Sequence, residues 1–203
     1  QRQMCIRDRL ISLIVPCYNE EEAMPLFYKE ASRVAAEMKT SHGADFEFIF
    51  VDDGSRDGTL RVARELHAQD DRVRYVSFSR NFGKEAGIYA GLQAARGDYV
   101  ATMDADLQDD IDAIDAMLAA FQNGNDIVYG VRASRKQDSA FKRATAQGYY
   151  RLLRALGADV VYNHADYRLM SRRALDALAE YKEVNLFPVS YTHLRAHETL
   201  MNL

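Results

Sequence analysis

Cysteine is scarce: Cys5 and Cys17 are the only two in 203 residues, too few for a disulfide framework. No CxxC and no His/Cys cluster at zinc-binding spacing occurs. No apolar run approaches the roughly 18 residues of a membrane helix, and no signal peptide is visible. The simplest compartment is therefore the cytoplasm. No GxGxxG follows the first apolar run, which argues against a dinucleotide site, and no GxxxxGKS/T occurs, which excludes a P-loop nucleotidase. Net charge is only −4, so nothing global points to nucleic acid. What remains, 48% hydrophobic and 28% charged residues, is the composition of an ordinary globular protein, and 203 residues fit one compact domain or one domain plus an extension.

The two ends differ from the rest. Gln1–Arg9 (QRQMCIRDR) and Pro188–Leu203 (PVSYTHLRAHETLMNL) show no periodicity and resemble translated sequencing-adapter read-through. They are expected to be a non-native leader (1–9) and a non-native tail (188–203) around one domain at 10–187, with the native protein continuing past Phe187. The leader carries +2 and the tail zero, leaving −6 for the domain.

Apolar β-rich runs alternate with helical patterns. Leu10–Val15 (LISLIV), Phe46–Val51 (FEFIFV), Val73–Phe78, Tyr99–Met103, Asp126–Val131 and Tyr167–Met170 read as strands. Helices are predicted from Asn19 to about Lys39, Asp57 to about Ala68, Glu85 to Ala95, Ile111 to Phe121, Lys142 to Leu156, and Ser171 to about Tyr181. Asn19 reads as the N-cap of the first helix, with Glu20, Glu21 and Glu22 against the positive end of its dipole. Short connections and near-continuous apolar strands predict an α/β fold, a mostly parallel sheet flanked by helices. Ligands of such sheets bind beyond the carboxyl ends of the strands. Four strand ends carry polar motifs: Tyr18-Asn19-Glu20, Asp52-Asp53, Arg80 to Lys84, and Asp104-Ala105-Asp106.

Asp104 and Asp106 follow a buried run one residue apart. Like charges that close repel unless a cation sits between them. Residues i and i+2 of extended backbone point the same way, so an extended chain would aim both carboxylates at one divalent ion. Hard oxygen donors suit Mg2+ or Mn2+, which keep positions open for substrate phosphates. The alternative is an acidic turn with Asp as a helix cap. Lys84 stands where a helix begins after Gly83, a combination suited to an anion, or is a solvated lysine. Asp52-Asp53-Gly54-Ser55 is either an acceptor-lined pocket or a turn with Asx chemistry. From Arg132 to Arg154 the cations Arg132, Arg135, Lys136, Lys142, Arg143, Arg151 and Arg154 meet one acid, Asp138. That excess suits a diphosphate, a lipid phosphate or an anionic membrane surface, or it is a solvated helix face. Arg132, beside a strand end, is the strongest candidate there.

The segments IVPCYNEEE, FVDDGSRDGT, SRNFGKEAG, MDADLQD and ADYRLMSRRAL occur in the order and spacing of family 2 glycosyltransferases. Over Leu10–Phe187 the chain resembles that family, and within it the polyprenyl-phosphate subgroup that includes dolichyl-phosphate mannose synthases and bactoprenol glucosyltransferases. The resemblance implies a single GT-A (Rossmann-like) domain. It further implies Mg2+ or Mn2+ and inverting transfer of a sugar from a nucleotide-diphosphate donor, UDP-sugar ahead of GDP-sugar, to a polyprenyl phosphate. A membrane surface, reached from the cytoplasmic side, is the implied partner; a homo-oligomer is compatible, and nucleic acid is not expected. The alternatives are a family member acting on a polysaccharide or protein acceptor, or a truncated, inactive nucleotide-binding module. A processive synthase would carry QxxRW, which is absent.

Carried onto this sequence, the resemblance makes Asp104 and Asp106 the metal site and part of the catalytic set. Asp106 is then the direct ligand, and Asp104 acts directly or through ribose or water. Gln108 would reach the phosphates or the sugar. Pro16, Tyr18, Glu20, Asp52 and Asp53 would form the nucleoside pocket, with Tyr18 as a wall for the base or a core residue. Lys84, Arg132 and Arg168 would meet phosphates. Asp166 is the candidate catalytic carboxylate near the acceptor. A phosphate monoester has its second pKa near ~6 and is largely dianionic at neutral pH, so Asp166 acts as a base, orients Arg168 or the acceptor, or simply pairs with Arg168 or Arg172. Two departures stand out: Ala165 where the family has Gly, which makes positive φ costlier, and Asp109-Asp110 where it has Asp-Pro-Pro, which is expected to loosen that loop. His42, His67 and His164 are expected to be solvated, and Cys17 to be a small buried residue.

Overall fold

The computed structural model describes residues 9–121, 125–131 and 164–179. Their order is β1 (Leu10–Cys17), α1 (Ala23–His42), β2 (Asp45–Asp52), α2 (Thr59–Gln69), β3 (Val73–Ser77), α3 (Lys84–Ala94), β4 (Tyr99–Thr102), α4 (Ala113–Phe121), β5 (Ile127–Val131), β6 (His164–Ser171) and α5 (Arg172–Ala179). The helix predicted over 142–156, Arg132, and the expected leader (save Arg9) and tail lie outside the described residues.

The strands form one six-stranded sheet in the order β3-β2-β1-β4-β6-β5. β1 pairs in parallel with β2 and β4, and β2 with β3. β6 is antiparallel to both β4 and β5. The parallel strands therefore deliver their carboxyl ends to one edge, and β6 starts from that edge. Its first residues, His164-Ala165-Asp166, extend it beyond the expected Tyr167–Met170. Ser171 caps α5 as expected, its Oγ accepting the Ala174 N–H at 3.2 Å.

Period-2 alternation sorts the strand side chains into two cores. Ile11, Leu13 and Val15, Phe46, Phe48 and Phe50, Tyr99 and Ala101, and Tyr167 and Leu169 pack with α1, α2 and α4. Ile14, Ile49, Val51, Val100, Ile127 and Met170 pack on the other face with Ile88 and Leu92 of α3 and Ala174 and Leu175 of α5. Phe27 of α1 meets Phe50 edge-to-face at 6.3 Å, and a side chain of that size buries apolar area worth about 1.5–3 kcal/mol. Helices thus cover both faces, and the strands read as continuous apolar runs because neither face meets water.

At the amino edge of the sheet a buried polar network fixes the turn into β4. Glu47, 6% exposed, accepts the Ser12 hydroxyl at 2.6 Å and the Arg96 N–H at 2.7 Å. The Gly97 N–H donates to Ser12 Oγ at 2.7 Å. Hydrogen-bonded in this way, the cluster costs little to bury and leaves the opposite edge for chemistry.

The first helix departs from expectation. It begins at Ala23, with Glu22 rather than Asn19 at the cap position and no side-chain cap. Asn19 adopts a left-handed conformation, φ 58°. Its N–H donates to Ser55 Oγ at 3.0 Å and its Oδ1 accepts the Arg56 N–H at 2.9 Å. The polar run after β1 is therefore a loop tied to the β2–α2 loop, and a long-range partner outcompetes the local cap. Glu20, Glu21 and Glu22 precede the helix instead of occupying its first turn. The end of α1 is regular: Gly43, φ 70°, takes the left-handed position and its N–H donates to Lys39 O.

Candidate active site

Register sets the site. Cys17 lies opposite Asp52 across β1–β2, and Asp52 opposite Ser77 across β2–β3. The Met103 N–H donates to Ile14 O at 3.0 Å, extending the β1–β4 pairing toward Asp104. The strand ends so aligned enclose a cleft of ≈ 330 Å³ lined by Pro16, Tyr18, Glu20, Asp53, Lys84, Asp104 and Asp106, together with Cys17, Asn81, Gly83 and Ala105. Seven of the twelve residues singled out in the sequence thus line one cavity of ligand-binding size.

Asp104 and Asp106 reach it by a different route from the one the spacing suggested. β4 stops at Thr102, and residues 105–107 form a turn in which Leu107 has φ 56°. The Gln108 N–H donates to Asp106 Oδ1 at 3.1 Å. The two acids share the cleft because a tight Asx turn folds back on the strand end, not because the strand runs on. The side chain of Gln108 is exposed and is not part of the lining. Lys84 Nζ donates to Asp104 Oδ2 at 2.8 Å.

The adjacent acids Asp52 and Asp53 do different work. Asp52, 2% exposed, accepts the Ser55 N–H at 3.0 Å and the Ser77 hydroxyl at 2.9 Å; it braces β2, β3 and the loop between β2 and α2 from beneath and does not line the cleft. Asp53, 3% exposed, does line it, and accepts the N–H groups of Phe82 and Gly83 at 2.7 and 2.8 Å. That fixes the loop before α3. Gly54 completes the bracket: with φ +67°, a Cβ there would lie 2.3 Å from the Arg80 carbonyl carbon, so only glycine lets the two loops meet.

The loop bearing Tyr18 and Glu20 is latched to the start of α2. Thr59 Oγ1 accepts the Glu20 N–H at 2.8 Å, Asp57 Oδ2 accepts the Glu21 N–H at 3.2 Å, and Glu21 Oε2 accepts the Gly58 N–H at 2.8 Å. Arg61 pairs with Glu21 at 2.6 Å. Sequence reasoning missed Glu21, Asp57 and Thr59. The signal was Asp57-Gly-Thr, two side-chain acceptors at a helix start, but their partner lies 36 or more residues away. Burial, then the neighbouring Asp106 and Asp104 carboxylates, hold the Glu20 acid above its ordinary value. Burial pushes the Cys17 thiol well up, consistent with an inert, 1% exposed side chain.

Arg168 lies on β6 opposite Thr102, the last residue of β4, and is 5% exposed. Two residues earlier along β6, the Asp166 backbone is on the same edge. In the loop holding Asp109 and Asp110, the Asp112 N–H donates to Asp110 Oδ1 at 3.0 Å, and Asp109 is 8% exposed. His42 and His67 are engaged, His42 Nε2 with Asp115 Oδ1 at 2.7 Å and His67 Nδ1 with Val73 O at 2.6 Å. Among the described residues no helix is long and apolar enough to cross a membrane.

The α/β sheet and its strand-end cleft rich in carboxylates set the site, and sequence comparison gives the class. Glycosyl transferase family 2 matches residues 12–179, and the chain belongs to that family. The bactoprenol glucosyl transferase of Shigella phage SfV is 41% identical over 178 residues, 87% of this chain and 57% of that protein. YkoT of Bacillus subtilis, an uncharacterized glycosyltransferase, is 41% identical over 182 residues, 88% of this chain and 54% of its own. The chain thus spans little more than half the length of these curated relatives. Among solved structures, the mannosyltransferase PcManGT of Pyrobaculum calidifontis, in complex with GDP-Man and Mn2+, has a TM-score of 0.66 at 17% identity, covering 96% of this chain and 55% of that one. Glucosyl-3-phosphoglycerate synthase of Mycobacterium tuberculosis, in complex with UDP, has a TM-score of 0.55 at 22% identity, covering 82% and 58%. These two likenesses bear on the fold alone.

Proposed function

We propose that this domain transfers a hexose-type sugar, with inversion, from a nucleotide-diphosphate donor to a polyprenyl phosphate. The observation that carries the reading is a single cleft shared by Asp104 and Asp106, the Pro16–Glu20 loop, Asp53 and Lys84. The name of the phage relative supports the lipid-phosphate acceptor. The two structural relatives carry different bases, so the fold does not choose between uracil and guanine.

Electrostatics argue for a divalent ion. Among the described residues the cleft lining holds four carboxylates, Glu20, Asp53, Asp104 and Asp106, against one ammonium, Lys84. A diphosphate entering that field needs added positive charge. The donor set fits Mg2+ or Mn2+: hard oxygens from Asp104 and Asp106, beside open cleft. Two carboxylates leave most of an ion's coordination shell to substrate phosphates and water. When bound, the ion would neutralise charge growing on the departing diphosphate, as Lewis acid and template.

The chain's own residues do the rest. Tyr18, 42% exposed, offers a flat wall for the base, with Pro16, Glu20 and Asp53 completing the nucleoside pocket. Lys84 meets the diphosphate, and Gln108, Arg132 and Arg168 are the further candidates for phosphate or sugar. In the transfer an acceptor phosphate oxygen attacks the anomeric carbon, the bond to the diphosphate breaks, and nucleoside diphosphate leaves. The attacking phosphate is largely dianionic at neutral pH, so Asp166 serves to orient the acceptor or Arg168 rather than to remove a proton. In the whole protein this chemistry would take place at the cytoplasmic face of a membrane.

The test is a screen of UDP- and GDP-sugars with Mn2+ or Mg2+ and a short polyprenyl phosphate, reading lipid-linked sugar. Ion-dependent transfer from a UDP-hexose is expected. Failure of any nucleotide sugar to bind would overturn the reading, and binding without transfer would mark this piece as an inactive donor-binding module.

A further inference from the structure

Lys84 is the first residue of α3, and Gly83 before it has φ 97°. Asp53 holds the N–H groups of Phe82 and Gly83, and Gly54 packs against the backbone of Arg80 and Asn81. The ammonium is therefore delivered to the cleft by a braced loop rather than a free one. It lies 2.8 Å from Asp104 Oδ2, and both partners are only partly exposed, at 40% and 34%. Among the described residues it is the only cation in a lining that holds four carboxylates.

We propose that Lys84 is a resident counter-cation for the Asp104–Asp106 pair, one that an incoming divalent ion must displace from Asp104. In the free protein it offsets repulsion among the cleft acids. When an ion arrives alone, the ammonium and the ion compete for the same carboxylate. When the ion arrives with a diphosphate, the phosphate oxygens receive the ammonium and the conflict ends. Lys84 thus couples ion binding to donor binding and keeps the cleft from filling with metal between turnovers. The inference rests on the sugar-transfer reading for the ion and the donor.

The sign of the effect sets it apart from simpler roles. A lysine that only binds phosphate leaves ion affinity unchanged when it is removed. A lysine that only pins Asp104 for metal weakens ion binding when it is removed. A resident counter-cation strengthens ion binding when removed while nucleotide binding weakens. A unit and a double charge about 5 Å apart in water repel by enough to change a binding constant on the order of tenfold.

The experiment titrates Mn2+ into this chain by electron paramagnetic resonance without nucleotide, then titrates UDP at saturating Mn2+. Lys84→Met is expected to bind Mn2+ alone roughly tenfold tighter and UDP more weakly than the wild type, with Lys84→Arg close to wild type in the first titration. Lys84→Gln is the second neutral variant, and thermal unfolding confirms that each is folded. Asp104→Asn must leave the free-ion Mn2+ signal undiminished, the sign that binding is lost. Mn2+ affinity that is unchanged or weaker in both neutral variants overturns the inference and leaves the sugar-transfer reading standing. A wild-type chain whose Mn2+ binding does not depend on Asp104 overturns the inference alone; the sugar-transfer reading falls only if donor binding is also indifferent to the ion.

Discussion

Asp53 accepts the Gly83 N–H at 2.8 Å while accepting that of Phe82 at 2.7 Å, so an acid at the end of β2 dictates where α3 begins. Asp53→Asn keeps one acceptor and turns an amide N–H2 against the second donor. Leaving a buried N–H unsatisfied costs about 1–3 kcal/mol, and a loss of that size is expected in urea denaturation. Because the same loop delivers Lys84, donor affinity should fall along with stability.

Gly54→Ala tests the bracket from its other side. The left-handed φ and the 2.3 Å approach to the Arg80 carbonyl carbon leave no room for a methyl group against backbone. A loss of about 2 kcal/mol or more is expected, since strain at such a backbone position alone costs about 1–3 kcal/mol. An unchanged denaturation midpoint would mean that the two loops can part without cost.

Thr59 is fully buried, accepts the Glu20 N–H and donates to Asp57 Oδ1 at 2.6 Å. Thr59→Val keeps the shape and removes both bonds. It should cost about 1–3 kcal/mol and raise the KM for the donor more than it lowers kcat, because Tyr18 and Glu20 are held by this latch and position the nucleoside rather than the reacting atoms.

A fourth prediction concerns pH and lies away from the cleft. The Arg72 guanidinium, with the Tyr28 hydroxyl and the Arg72 N–H, holds Asp70 at about 2 against an ordinary 3.8. A carboxylate whose folded pKa is depressed contributes stability that is fully present above its unfolded value and is lost as pH falls toward the folded one. The loss should therefore fall between pH 3.8 and about 2. Asp70→Asn is expected to flatten that limb of the stability profile, as measured by thermal unfolding across the acid range. A wild-type slope retained in the variant would assign the acid loss to other carboxylates.

Much of this architecture is legible in the sequence, for reasons that particular residues make plain. Leu10–Val15 and Phe46–Val51 announce their strands because both faces of β1 and β2 are buried. β4 is equally plain, since Tyr99–Thr102 is buried throughout. The start of β6 is hidden because His164, Ala165 and Asp166 carry no apolar pattern, and its antiparallel direction is set by partners, not by local residues. Asn19 misleads because Asn-Glu-Glu-Glu mimics a helix cap, whereas Ser55 and Arg56, far along the chain, claim its polar groups. The gathering of Pro16, Tyr18, Glu20, Asp53, Lys84, Asp104 and Asp106 follows from topology, since parallel strands end on one edge. The split between Asp52 and Asp53 does not, because neighbouring residues leave a strand end in different directions and only the loops they meet decide what each one holds.

The most direct measurement of the central claim is donor binding, by calorimetry, with and without Mn2+, in the wild type and in Asp104→Ala and Asp106→Ala. The account predicts ion-dependent binding of a nucleotide sugar in the wild type. It predicts a loss on the order of tenfold or more in each variant, a step of about 1.4 kcal/mol, with thermal midpoints unchanged. Donor binding of wild-type strength in either variant, or binding indifferent to the ion, would contradict it.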